Sequence, residues 1–131
     1  MILKIDMAGS IPIYVQLRNE IVKGIGRGEL AAGENLPTVR QLASELGVNT
    51  MTVSKAYQLL KTEGFIETDR RKGAVVSSIP DRGTAGDAAA ERYMDRLGDE
   101  LELLSAEAKL RGLKREDFLK LCEDAFAEMG V

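Results

Sequence analysis

The stretch Leu36–Ile66, "LPTVRQLASELGVNTMTVSKAYQLLKTEGFI", decides how this chain folds. It reads as two short helices pinched at Gly47. Pro37 is followed by Thr38, with Gln41 three residues on, the spacing of a capping box, so a helix is predicted from about Val39 to Leu46. Asn49 offers an N-cap for a second helix that carries Val53, Ala56, Tyr57 and Leu60 on its inner side and ends at Gly64. Two helices joined this tightly pack crosswise when the first presents a small residue at the crossing and the second fills against it with a branched apolar one. Ala43 and Val53 suit those roles, and Gly47 sits four residues after the alanine, where the chain turns sharply. This is the spacing of a helix-turn-helix.

A self-contained helical pair would open its second helix with apolar residues. This one opens with Asn49, Thr50, Thr52, Ser54 and Lys55. In a helix-turn-helix the second helix enters the major groove with its N-terminal residues at base edges, while the first lies across the phosphates. Short hydroxyl and amide side chains let the backbone come close as they hydrogen-bond to bases and phosphates. Taken singly, Asn49 reads equally well as a plain cap and the threonines as solvated surface. As a set they point to double-stranded DNA.

Working outward, "MILKID" is a short apolar start, and Ser10 is expected as the N-cap of a helix with Pro12 in its first turn. Ile13, Leu17, Ile21 and Ile25 repeat at four-residue steps up to a stop near Gly28. Downstream, "FIETDRRKGAVVSSI" holds two β-prone pieces, Phe65 to Thr68 and Ala74 to Ile79, around a charged turn closed by Gly73. Arg70, Arg71 and Lys72 crowd the tip of that hairpin, where a wing would meet the DNA backbone or minor groove. Residues 80–87, "PDRGTAGD", read as a linker. The predicted organisation is therefore a winged helix-turn-helix over 1–79, the linker, and a helical hairpin over 88–131. The fold class is mainly α with one small β-hairpin.

Composition narrows the function. With 131 residues and 44% hydrophobic content the chain can build one compact core and an appendage. Its apolar runs are too short for a membrane span or a secretory signal, so a cytoplasmic location is expected. The absence of histidine removes the commonest general base and the commonest metal ligand together, and nothing in the residues asks for a metal or a cofactor. The formal net charge of −3 argues mildly against nucleic acid, but it hides a split. Residues 1–80 hold ten Lys and Arg against eight Asp and Glu, whereas residues 81–131 hold eight against thirteen. Only the first part can approach a polyanion comfortably.

"PIYVQLRNEI", then the run from Gly28 to Asn49 with its "GEL", "LPTVR" and "LGVN" pieces, then "TVSKAY", "EGFI" and Lys72–Gly73, closely resemble the winged helix-turn-helix of the GntR family. The likeness covers residues 11 to about 77. Only about fifty residues follow, too few for the large effector-binding or pyridoxal-phosphate enzyme domains of other subfamilies. The short two-helix tail and the tyrosine of "SKAYQLL" look like the YtrA subfamily. The resemblance implies a dimeric transcriptional regulator, usually a repressor, often encoded beside the ABC-transporter genes it controls. Carried over by position, it makes Arg40 the DNA-contacting arginine of the first helix of the pair. It makes Thr38 that helix's backbone-contacting start, Asn49, Thr50, Met51 and Thr52 the base-facing turn, and Gly73 the wing-tip glycine. Many GntR members place an arginine where this chain has Thr50, and threonine cannot make a bidentate contact to guanine, so the operator preference of relatives does not transfer.

In the tail, Tyr93, Leu97, Leu101, Leu104 and Ala108 follow helical steps to Gly112, and Phe118, Leu121, Cys122, Ala125 and Met129 define a second helix. Cys122, the lone cysteine, is expected to be a buried small hydrophobe. Two short helices cannot bury such a stripe by themselves. Its expected cover is a second copy, with Tyr93, Leu97, Leu101, Leu104, Phe118, Leu121 and Ala125 forming a homodimer interface that matches a palindromic operator. The other cover is the chain's own N-terminal domain. A small-molecule effector has room in this scheme, although no residue identifies one. Two other classes compete. A protein-binding adaptor would carry acidic or bulky apolar residues on the base-facing turn, and an enzyme would need paired carboxylates or a phosphate loop; neither is found.

Overall fold

The computed structural model describes residues 3–78 and 87–130. Its elements are α1 (Ile13–Gly26), α2 (Val39–Leu46), α3 (Thr50–Thr62), β1 (Ile66–Asp69), β2 (Gly73–Val76), α4 (Asp87–Leu110) and α5 (Arg115–Ala127). They fall into two compact units, Met1–Ile79 and Pro80–Val131.

The first unit is built around one cluster. Leu17, Ile21 and Ile25 of α1, Leu42 and Ala43 of α2, and Val53, Ala56, Tyr57 and Leu60 of α3 close on one another, and Ile66 and Val76 of the hairpin complete the core. The three helices supply it because their apolar residues recur every three or four positions, which puts them on one face. Ala43 and Val53 are both buried, so the crossing of α2 and α3 has the small and branched residues it requires. Gly47 ends α2 in the left-handed region at φ 68°, with the Val48 N–H returning to the Ala43 carbonyl at 3.0 Å. An L side chain resists that conformation, and glycine does not.

The start of α1 differs from expectation. The helix begins after Pro12, which occupies the cap position in extended geometry with no side-chain cap bond, so Ser10 is not its N-cap. The reason lies in Gln16. Its Nε2 donates to the carbonyls of Asp6 and Ile11, and its Oε1 accepts the Asp6 N–H at 2.7 Å, tying the preceding segment alongside the helix and leaving Ser10 outside the first turn.

The hairpin pairs Ile66 with Val76 and Asp69 with Gly73, antiparallel. Both strands are shifted by one residue relative to the predicted pieces, β2 stops at Val76, and Ile79 lies outside the described residues. A third strand-like segment joins them. Asn35 bridges Val75, the Gly33 N–H donates to the Val76 carbonyl at 2.8 Å, and the Leu36 N–H donates to the Ala74 carbonyl at 2.9 Å. The connection before α2, which reads as a plain turn-rich loop, is thus the edge partner of the wing.

In the second unit α4 and α5 are joined through Gly112, where the Leu113 N–H closes on the Ala108 carbonyl at 2.9 Å. Of the expected linker, residues 80–86 lie outside the described residues, and Asp87 already belongs to α4. Leu97, Ala108, Phe118 and Met129 are half-buried, while Tyr93, Leu101, Leu104, Leu121 and Ala125 are exposed. Cys122 is exposed as well, against the expectation of a buried thiol. Two helices enclose only the narrow seam between them, so residues a turn away from that seam stay in water.

Candidate nucleic-acid interface

The residues with a reading beyond the core gather on the starts of α2 and α3 and on the hairpin tip. Thr38 caps α2 reciprocally: its Oγ1 accepts the Gln41 N–H at 3.1 Å, and Gln41 Oε1 accepts the Thr38 N–H at 3.0 Å. Two amide donors of a helix start are satisfied inside the protein, and Arg40, one residue into the first turn, is left exposed.

Asn49 caps α3 through its Oδ1, which accepts the Met51 N–H at 2.7 Å. The cap uses one lone pair of Oδ1 and leaves both Nδ2 hydrogens for a base or a phosphate. Thr50, Met51, Ser54 and Lys55 are exposed and Thr52 is half-buried, whereas Val53, Ala56, Tyr57 and Leu60 on the other side of the same helix are in the core. Met51 is 76% exposed, an apolar side chain among hydroxyls. Lys55 has its Nζ 4.2 Å from the centre of the Tyr14 ring, so α1 steadies this cation by its aromatic face.

α3 is fixed to the start of α2 by Tyr57, whose hydroxyl donates to the Pro37 carbonyl at 2.7 Å. Burial, with the Glu45 carboxylate adding to it, pushes the phenol pKa well above its ordinary value, so the group is a permanent donor at neutral pH. The far end of α3 is held to α1 by Arg18, which meets both carboxylate oxygens of Glu63, at 3.0 and 2.7 Å.

At the hairpin tip Arg70, Arg71 and Lys72 are exposed, and Gly73 closes the turn at φ 82°. Asp69 Oδ1 accepts the N–H groups of Arg71 and Lys72, and Asn35 Nδ2 donates to the Lys72 carbonyl. The wing tip, α2 and α3 are therefore all anchored on one four-residue segment. Asn35 holds the tip, Pro37 receives Tyr57, and Thr38 caps α2. Reading the sequence alone missed Asn35, Asp69 and the Tyr14–Lys55 contact. Of these only Asp69 had a local signal, an aspartate opening a charged turn that a glycine closes.

Among the described residues no cluster of three or more potential ligands could hold a metal ion, and no helix is long and apolar enough to cross a membrane.

Comparison with known proteins finds related regulators. The profile of the bacterial regulatory proteins of the gntR family matches residues 13–76. An HTH-type transcriptional regulator of Mycobacterium tuberculosis is 38% identical over 92 residues, covering 70% of this chain and 76% of that protein. The HTH-type transcriptional repressor YtrA of Bacillus subtilis is 32% identical over 127 residues, 97% of this chain and 94% of its own. Among solved structures, a transcriptional antiterminator from Listeria monocytogenes superposes with a TM-score of 0.82 at 26% identity, over 96% of this chain and 93% of that one. YtrA from Sulfolobus acidocaldarius, a GntR-family transcription factor, is 45% identical with a TM-score of 0.58, over 64% and 88%. The DNA-binding domain of AraR in complex with its operator ORX1 gives a TM-score of 0.53 at 26% identity, over 59% and 99%.

Proposed function

Because the chain belongs to the GntR family of bacterial regulatory proteins, a family of DNA-binding regulators and not of enzymes, we propose that it is a homodimeric repressor of a palindromic operator. In this reading the start of α3 reads base edges through Thr50, Met51, Thr52 and Ser54. Thr38, Arg40 and Lys55 grip phosphates, and Arg71, Lys72 and Gly73 bring the wing onto the backbone. The observation that carries it is the division of α3, with one side wholly in the core and the other exposed, polar and next to the helix start. The helix N-terminus adds attraction for phosphate. The similarity to the DNA-binding domain of AraR, solved in complex with its operator, supports DNA as the ligand of this fold. Repression follows the Bacillus subtilis relative, which is named a repressor, and transporter genes as targets follow only from the resemblance of the tail to the YtrA subfamily.

Dimerisation is supported by what a single copy leaves in water: Tyr93, Leu101, Leu104 and Leu121 of the tail. A second copy covering them would supply two recognition helices, and a palindromic operator offers two half-sites about 34 Å or a multiple of it apart. The tail's acidic balance makes it a poor partner for phosphates.

Selection of bound sequences from random duplex DNA, followed by anisotropy titration at two salt concentrations, tests this. The expected result is a palindromic motif bound with steep salt dependence, from several phosphate contacts per dimer. Enrichment of no motif would sink the proposal.

A further inference from the structure

We propose that Asn35 and Asp69 are positioning residues for DNA binding, a latch that sets the hairpin tip so that Arg71 and Lys72 can both reach the backbone. This deepens the proposed function and rests on it.

Asp69 is chemically out of place on a surface meant for a polyanion. It stands beside Arg70, Arg71 and Lys72, and its exposed carboxylate cancels part of their charge and repels phosphate. Its N–H partners explain its presence. Oδ1 accepts from Arg71 N at 2.8 Å and Lys72 N at 3.3 Å, so the carboxylate closes the loop from its base. Those two N–H groups, with the Lys72 charge added, hold the Asp69 carboxyl below its usual range, and the bonds persist at neutral pH. From the other side Asn35, thirty-seven residues earlier, donates its amide to the Lys72 carbonyl, and its backbone is bridged to Val75. Three backbone polar groups of the tip, the N–H of Arg71 and the N–H and C=O of Lys72, are thereby engaged, and Gly73 supplies the left-handed residue that lets the turn close. A three-residue loop of long cations would otherwise lose conformational freedom on meeting DNA; here part of that ordering is already done in the free protein.

The anchor is also the right one. Asn35 leads directly through Leu36 and Pro37 into the cap of α2, so the tip is held by the same segment that places Thr38 and Arg40. Wing and helix pair would then meet the duplex as one rigid surface.

Two substitutions separate position from charge. Asp69→Ala and Asp69→Asn remove the same negative charge, but only asparagine keeps an oxygen that can accept the two N–H groups. On charge alone both bind a selected operator more tightly than the parent. The latch predicts instead that Asp69→Ala binds about five- to tenfold more weakly while Asp69→Asn equals or exceeds the parent. It also predicts that Asn35→Ala is weakened, and that the double variant Asn35→Ala/Asp69→Ala loses less than the product of the two single losses, since both act on one loop. In the free protein, amide hydrogen exchange at Arg71 and Lys72 should quicken in Asp69→Ala and stay slow in Asp69→Asn, with unchanged melting temperature in both. A parent that binds, with Asp69→Ala as tight as Asp69→Asn, would overturn the latch alone. A parent that binds no selected duplex would overturn the proposed function, and the tip's role on DNA with it.

Discussion

At the scale of single residues the proposed interface is made mostly of exposed side chains, held in place by neighbours bonded or packed inside the fold. Arg40 is exposed one position inside a helix whose first amides are already satisfied by the Thr38–Gln41 box. Arg40→Ala should therefore weaken binding about equally for all sequences, reduce the salt slope by about one per contact, and leave the melting curve and sedimentation unchanged. Binding equal to the parent's would remove Arg40 from the interface. Tyr57 is the opposite kind of residue, buried and bonded to the Pro37 carbonyl. Tyr57→Phe should cost about 0.5–1.5 kcal/mol at pH 7 by urea denaturation. The sign with pH follows from its raised phenol pKa. Above about pH 10 the unfolded chain has released this proton and the folded chain retains it, so the folded state binds more protons and stability falls as pH rises. The parent should lose its advantage over Tyr57→Phe between pH 10 and 11, and an advantage that instead grows there would contradict the burial argument.

At the scale of elements, each helix end is written in short-range chemistry. Gly47 stops α2 at positive φ, and a methyl added there would meet nothing within 4 Å, so the cost of Gly47→Ala is that of the backbone alone, about 1–2 kcal/mol. Gly47→Asn should cost less, because asparagine visits the left-handed region more readily. Equal stability of the alanine variant and the parent in thermal melts would show that α2 and α3 do not need this turn. The caps at Thr38 and Asn49, the stops at Gly47, Gly64 and Gly112, and the inner face of α3 were all legible from spacing. The bridge from Asn35 to the wing was not. Residues 33–36 carry no alternation or β-branched run, and they pair only because the hairpin lies beside them. Ser10 misled for a related reason: a serine near a proline signals a cap locally, but Gln16 recruits the preceding segment and moves the helix start past it.

For the whole molecule the open matter is the tail. Leu104 is 51% exposed, and Tyr93, Leu101 and Leu121 share its condition, more apolar surface than two helices can justify in water. Leu104→Glu should shift sedimentation equilibrium from dimer to monomer at micromolar concentration. The same change should lower affinity for a full palindrome by about a hundredfold or more, since the second half-site is no longer bound as an intramolecular event. Binding to a single half-site should stay as it was. A parent that sediments only as monomer would refute the dimer.

What the sequence determined by itself is what is decided within a few residues of chain: where α2 and α3 begin and stop, which face of each is apolar, and that an exposed polar turn follows a glycine pinch. Those signals are local because caps, left-handed turns and helical periodicity act over about one turn. Tertiary structure alone decided which groups hold the interface in place. Asn35 meets Lys72 across thirty-seven residues, Tyr57 meets Pro37 across twenty, and Lys55 rests on Tyr14 of another helix. Each is a single directional contact between residues that no period or motif connects, formed only after the core of Leu17, Leu42, Val53 and Leu60 has closed and brought them within reach.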